Sequence, residues 1–97
     1  MMTVRWSVEA RDDLREAAAY YDMQLAGLGL ELARMVRVAE SAFAEHPNAW
    51  RQLDKTVRRY RLNRFPYGVY YVVEAETITI IAVAHLHRKP GHWRGRT

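Results

Sequence analysis

The chain has 97 residues and no cysteine, which removes disulfide frameworks, thiolate zinc sites and cysteine nucleophiles from consideration. Any catalysis would have to use other groups. Long hydrophobic runs are missing as well. The longest wholly apolar stretch, Ile80 to Ala84, is far short of the roughly 18 residues that a membrane-spanning helix requires. The N-terminal "MMTVRWSVEARDD" lacks the apolar centre of a signal peptide, so no membrane association and a cytoplasmic location are expected. No internal repeat or low-complexity tract stands out. Acids are absent from one segment: "HLHRKPGHWRGR", His85 to Arg96, holds three His, three Arg, one Lys and one Trp.

What is present reads as one ordinary domain over residues 1–97. A chain of this length hides roughly 60–70% of the surface that its unfolded form exposes, enough for one core. The composition is 49% hydrophobic and 27% charged, with both signs spread along the chain, as in a folded domain and not in disorder. The balance shifts between the halves. Residues 1–50 carry five Lys/Arg against eight Asp/Glu, a net −3, whereas residues 51–97 carry ten against three, a net +7. The second half would attract nucleic acid, an acidic peptide or an acidic protein surface, and charge alone does not choose among them.

"TVRWS" alternates, with Val4 and Trp6 on one side and Arg5 on the other, and predicts a short strand. Ser7 is placed as an N-cap, with Glu9, Asp12 and Asp13 in the first turns, where the helix dipole favours negative charge. From Val8 to about Leu25, the spacing of Leu14, Ala18, Tyr21 and Leu25 predicts a helix with one core-facing stripe. Gly27 and Gly29 in "AGLG" predict a tight reversal into a second helix carrying Leu32, Met35, Ala39 and Phe43, which stops at Pro47. The helical hairpin thus spans about 8–46, and a loop of about ten residues should follow.

The period then changes to two. In "VRRYRLNRF", Tyr60 and Leu62 alternate with Arg59, Arg61 and Asn63, one apolar face against one basic face that must see water or a partner. "PYG" and "ET" are turns, and "VYYVVEA" and "ITIIAVAH" are strands, so a three-stranded antiparallel meander is expected over about 57–85. The last strand is apolar on both faces, which predicts a central position beside the N-terminal strand. The fold class is α+β: strand, helical hairpin, meander, and a basic tail over 86–97.

Two clusters invite a chemical reading. His85 and His87 share one face if the strand continues, and His92 is near, but Arg88 and Lys89 repel a divalent ion and no carboxylate completes the set. No metal and no cofactor are therefore expected. His85, ending a buried strand, is read as a hydrogen-bonded structural residue. Tyr67, Tyr70 and Tyr71 could stack on single-stranded nucleic acid, yet alternating aromatics on a strand are first of all sheet packing, and either Tyr70 or Tyr71 must face the core.

Over essentially the whole chain, and most specifically in "RFPYGVYY" (Arg64 to Tyr71) and "IAVAHLHRKPGHW" (Ile81 to Trp93), the sequence resembles the RelE/ParE superfamily of toxins from bacterial type II toxin–antitoxin systems, in its ParE-like, plasmid stabilisation branch. That resemblance implies a toxin neutralised by a cognate antitoxin, with two activities known on one fold. The ParE-like activity is inhibition of DNA gyrase by binding, with no catalytic residues. The RelE-like activity is ribosome-dependent cleavage of mRNA, which needs a base, an acid and cations around the phosphate.

An endoribonuclease would draw on Arg59, Arg61, Arg88 and His92, but a convincing base is missing and no catalytic residue is favoured. A gyrase inhibitor is the preferred expectation; a member that only binds antitoxin or nucleic acid is the third. The target-facing residues are expected to be Arg88, Lys89, His92, Trp93, Arg94 and Arg96. Arg59, Arg61 and Arg64 are expected to meet the antitoxin, whose amphipathic, acidic segment would cover the helical hairpin and the basic sheet face. For Trp93 the alternative is a hydrophobic anchor that ties the tail to the domain. For Arg59 and Arg61 it is a solvated strand face.

Overall fold

A computed structural model describes residues 2–97 as an α+β fold. The elements are β1 (Thr3–Trp6), α1 (Val8–Gln24), α2 (Leu28–Glu45), β2 (Arg51–Gln52), β3 (Val57–Arg61), β4 (Tyr67–Glu74) and β5 (Thr77–His85), followed by a 3₁₀ turn at Arg94–Arg96. The sheet has five strands in the order β1-β5-β4-β3-β2. All neighbours are antiparallel except β1 and β5, which run parallel. The doubly apolar β5 is flanked on both sides, as its sequence demands.

Helix α1 begins where expected, with the Ser7 hydroxyl accepting the Ala10 N–H at 3.0 Å. Its inward stripe starts earlier than predicted. Ala10 and Ala17 are its buried members, Leu14 and Tyr21 pack beside them, and Leu25 is 65% exposed because the helix has already ended. Alanines at the contact let α1 lie close to the sheet. On α2, Val36 joins Leu32, Ala39 and Phe43 in the core, and Met35 packs at its margin.

The reversal uses Gly27, whose φ of 91° is in the region that favours glycine. Gly29 is instead inside α2, where a Cβ would collide with the Ala18 carbonyl oxygen. Its N–H donates to the Asp22 carboxylate at 2.8 Å, which satisfies an otherwise free donor of the helix start.

The predicted ten-residue loop contains a two-residue strand. Asp54 accepts the Thr56 and Val57 N–H groups at 2.9 and 2.8 Å, folding the chain back so that β2 pairs with β3. The turn between β4 and β5 is at Ala75 and Glu76, one residue before "ET". In the β4–β5 ladder, Tyr71 faces Ile80 and Tyr70 faces Ala82, which leaves Ile81 as the extra residue of a β-bulge.

Alternation along the strands divides the side chains between two clusters. On the helix side Val69, Tyr71, Ile78 and Ile80 meet Leu32, Val36, Ala39 and Phe43. Tyr71 stacks on Phe43 with ring centroids 4.2 Å apart. Its hydroxyl donates to the Pro47 carbonyl at 2.8 Å, and burial pushes its phenol up to about 12. On the opposite side Val57, Tyr70, Ile81, Ala82 and Ala84 form a second, smaller cluster closed by Trp93. Tyr70 and Tyr71 are therefore both packing residues, one for each side of the sheet.

Candidate functional site

The basic segment does not trail into solvent. After β5 the Leu86 N–H donates to the Pro66 carbonyl at 2.9 Å, and successive turns at Arg88, His92, Arg94 and Arg96 bring the chain back across the sheet. Gly91 allows one of those turns with a φ of 80°, and a Cβ there would press on the Arg94 guanidinium. The sheet face expected to be open at Arg59 and Arg61 is thus partly covered by the chain's own tail.

Trp93 is the central contact of that cover. It is 8% exposed and stacks on Tyr70 at 5.3 Å. Its indole N–H donates to Asp54 at 3.3 Å. The Asp54 carboxyl is held below its ordinary range, first by the Thr56 and Val57 N–H groups and further by Trp93 and the nearby Arg94. Of the two roles considered for Trp93, the anchor is the one its surroundings fit, since an indole already stacked and hydrogen-bonded offers little to an outside partner.

Arg96 fixes the end of the tail. It makes a two-pronged ion pair with Asp13 of α1 and donates to the Ile81 carbonyl at 3.1 Å. The Asp13 carboxylate also accepts the Val83 N–H at 3.0 Å. These groups are on the stretch of β5 edge beyond the end of β1, whose last partner is Ile80. An unpaired strand edge is thereby satisfied by a helix carboxylate and a tail guanidinium. The Asp13 pairing raises the Arg96 pKa.

His92 is enclosed by the cover. Its ring meets Tyr70 at 4.9 Å and Trp93 at 5.1 Å, both edge-on. Both of its nitrogens are buried and without a hydrogen-bond partner. Burial lowers its pKa, and Arg88 and Arg96 lower it further against the opposing pull of Asp13. A neutral imidazole with both nitrogens shielded has the wrong access for an acid or base acting on an outside phosphate.

The remaining cations separate by exposure. Arg88, Lys89 and Arg94 are exposed, and the Arg94 guanidinium lies 5.9 Å over the Trp93 ring. Arg61 is exposed, but Arg59 is part-buried, its stem lies against Gly68, and its Nε has no partner. Arg64 is engaged with Glu31 of α2 at 2.7 Å. The four cationic and imidazole groups an endoribonuclease would use are therefore not presented together to solvent.

His85 is exposed at the strand end. Its Nδ1 accepts the His87 N–H at 3.1 Å, and its ring meets Tyr67 edge-on at 5.4 Å. Among the described residues, no group of three or more His, Asp or Glu side chains is placed to hold a metal ion. No helix among them is long and apolar enough to cross a membrane.

Two features escaped the sequence reading. The sequence suggests for Asp13 only a favourable interaction with the helix dipole, although its place three residues after Ala10 and four before Ala17 puts it on the sheet-facing border of α1. The hairpin also exposes Val8, Met23, Leu30 and Val38 at 72, 87, 56 and 56%, together with Leu25 and Tyr20. Except for Leu25, which the predicted stripe includes, their signal is that they are apolar residues lying off the stripe.

The solved structure described as "Chromosomal ParDE TA system from P. aeruginosa" resembles this chain with a TM-score of 0.76 and 20% identity, over 88% of this chain and 96% of that one. No curated protein matches. The family profile described as "ParE toxin of type II toxin-antitoxin system, parDE" matches residues 4–90, which take in the hairpin, the sheet and the tail as far as Pro90 but not Trp93. The chain thus belongs to the ParE toxin family of type II toxin–antitoxin systems.

Proposed function

We propose that the protein is a cytoplasmic toxin that acts by binding, with DNA gyrase as its target, and that a cognate antitoxin neutralises it. The observation that carries this reading is the state of the tail. Arg88, Lys89 and Arg94 point outward from a segment held against the sheet at both ends, while His92, the imidazole that an endoribonuclease would draw on, has both nitrogens buried. Such a surface suits gripping an acidic partner, and His92 is not accessible to serve as a base. Gyrase is the target that membership of the ParE branch suggests, and plasmid stabilisation is the corresponding biological role.

The antitoxin fits the opposite side of the molecule. Val8, Met23, Leu25, Leu30 and Val38 give the hairpin an exposed apolar surface, suited to an amphipathic helix laid in a groove. Of the three arginines expected to meet the antitoxin, only Arg64 touches the hairpin and would first have to leave Glu31, whereas Arg59 and Arg61 alternate with Tyr60 and lie on the tail side of the sheet, Arg59 part-buried and Arg61 exposed.

The test is to express the protein without antitoxin, then assay purified material for inhibition of gyrase supercoiling and for ribosome-dependent mRNA cleavage. Gyrase inhibition that falls about a hundredfold when Arg88, Lys89 and Arg94 are all changed to Ala is the expected result, at roughly fivefold per lost charge contact. Cleavage of mRNA without gyrase inhibition would replace this reading with the RelE-like one. Absence of toxicity would leave a member that only binds its antitoxin or nucleic acid. Truncation of the tail is a poorer test, because it removes Trp93 from the second cluster.

A further inference from the structure

We propose that Asp13 is a positioning residue for the target-binding surface: through Arg96 it clamps the far end of the tail and so fixes where Arg88, Lys89 and Arg94 stand. This rests on the proposed role of the tail as that surface.

The tail is held by a backbone bond at its near end and by a side chain at its far end, with the aromatic contacts to Tyr70 between them. The near end is set by Leu86 bonding to Pro66. The far end has no ladder to join, because the neighbouring edge of β5 is occupied by β1 only as far as Ile80. Helix α1 takes over from there. Ala10 and Ala17 bring it close to the sheet, and Asp13, between them on the same side, reaches the Val83 N–H and the Arg96 guanidinium together. Arg96 closes the set by donating to Ile81.

The arrangement has the features of a clamp and not of a surface ion pair. The Arg96 and Asp13 side chains are only 20% and 11% exposed, so salt screens them weakly. The pair joins residues 83 apart in sequence, linking the acidic helical half to the basic half. A flexible tail would pay the ordering of its side chains on meeting a target, and a tail held in place has already done so.

Asp13→Asn separates the two jobs of the carboxylate: the amide oxygen still accepts from Val83, but the charge that holds Arg96 is gone. Arg96→Gln tests the same pair from a part-exposed site that leaves the core untouched. In both variants, amide exchange at Arg94 and Arg96 is expected to accelerate about tenfold or more, and the Trp93 indole resonance to move. Gyrase affinity should fall about tenfold, with antitoxin affinity unchanged, and Arg96→Lys should recover part of the loss.

Unchanged exchange and an unmoved indole in both variants would overturn the clamp. Lost affinity with an unmoved tail would also overturn it, since Asp13 would then be meeting the target itself. A loosened tail with full gyrase inhibition would leave the clamp standing but overturn the tail as the target-binding surface.

Discussion

The two sides of the sheet are built to different standards. The helix side carries four buried α2 residues and a stacked Phe43–Tyr71 pair against Val69, Ile78 and Ile80. The tail side has Val57, Tyr70, Ile81, Ala82 and Ala84 under one indole, held down by a hydrogen bond to Asp54 and the Asp13–Arg96 pair. Stability should therefore come mainly from the first side. The second can open locally while the rest stays folded. That asymmetry lets a surface carry dense positive charge without endangering the fold.

The largest effect should come from breaking the stronger side. Phe43→Ala removes a fully buried ring and leaves a cavity against Tyr71, a loss of about 3–5 kcal/mol. In a domain of this size, that is a substantial share of the whole. Denaturant unfolding should show a markedly lower midpoint, with growth inhibition and antitoxin binding lost together. A small change would mean that the two sides are nearer in weight than their packing indicates.

Trp93→Ala breaks the weaker side. The ring is larger, but a tail can lift where a helix cannot, so a global loss of about 2–3 kcal/mol is expected, below the usual range for a buried Trp. Hydrogen exchange separates the two cases. Amides of Tyr70, Ile81 and Ala82 should exchange faster in this variant, while those of Leu32, Val36 and Ala39 stay protected. Uniform acceleration at all six would show that the cover is integral to the fold.

Which of these features the sequence disclosed depends on whether periodicity recorded them. The strand–hairpin–meander order, the Ser7 cap and the interior place of β5 follow from local pattern and chemistry, whereas for Trp93 the sequence expectation is a target-facing residue with an anchor as the alternative. The strand β2 was missed because two residues, Arg51 and Gln52, give no periodic signal, and the Asp54 turn that creates it depends on one side chain. The tail's path was missed for a deeper reason. "HLHRKPGHWRGR" is so cationic that it reads as solvent-facing, and only the Asp13 partner, 83 residues before Arg96, shows why part of it is not. The family resemblance makes His92 a candidate ribonuclease or target-facing residue, whereas its position between two aromatic rings is a property of the folded cover.

That buried imidazole makes the weaker side sensitive to pH. His92 faces Tyr70, Trp93, Arg88, Arg96 and Asp13. Its pKa in the folded cover is lowered from 6.5 by burial and then by the two arginines. A released tail would titrate near the ordinary value, so protons bind the released form more tightly. The cover is at full strength above about pH 6.5 and weakens as pH falls through that value towards the lowered one. A second loss follows at lower pH, as Asp54, depressed from 3.8, becomes protonated. The Trp93 indole resonance followed from pH 8 to 5 should report the first step. His92→Phe, which fits the aromatic surroundings and has no polar nitrogens, should remove it, while the helix-side signals stay flat in both proteins.

The smallest effect on stability should come from an exposed residue of the proposed target-binding surface. Arg94 lies over Trp93 at 5.9 Å with an exposed side chain, so Arg94→Gln should change unfolding stability by no more than about 0.5–1 kcal/mol. Its charge projects from a surface whose neighbours are Arg88 and Lys89, so binding to an acidic partner should weaken chiefly through a slower association rate, most clearly at low salt. Measured association rates over a salt series would give a shallower dependence for the variant than for the parent. Equal slopes would place the electrostatic contact elsewhere, along the hairpin, and would transfer the functional weight from the thin side of the sheet to the thick one.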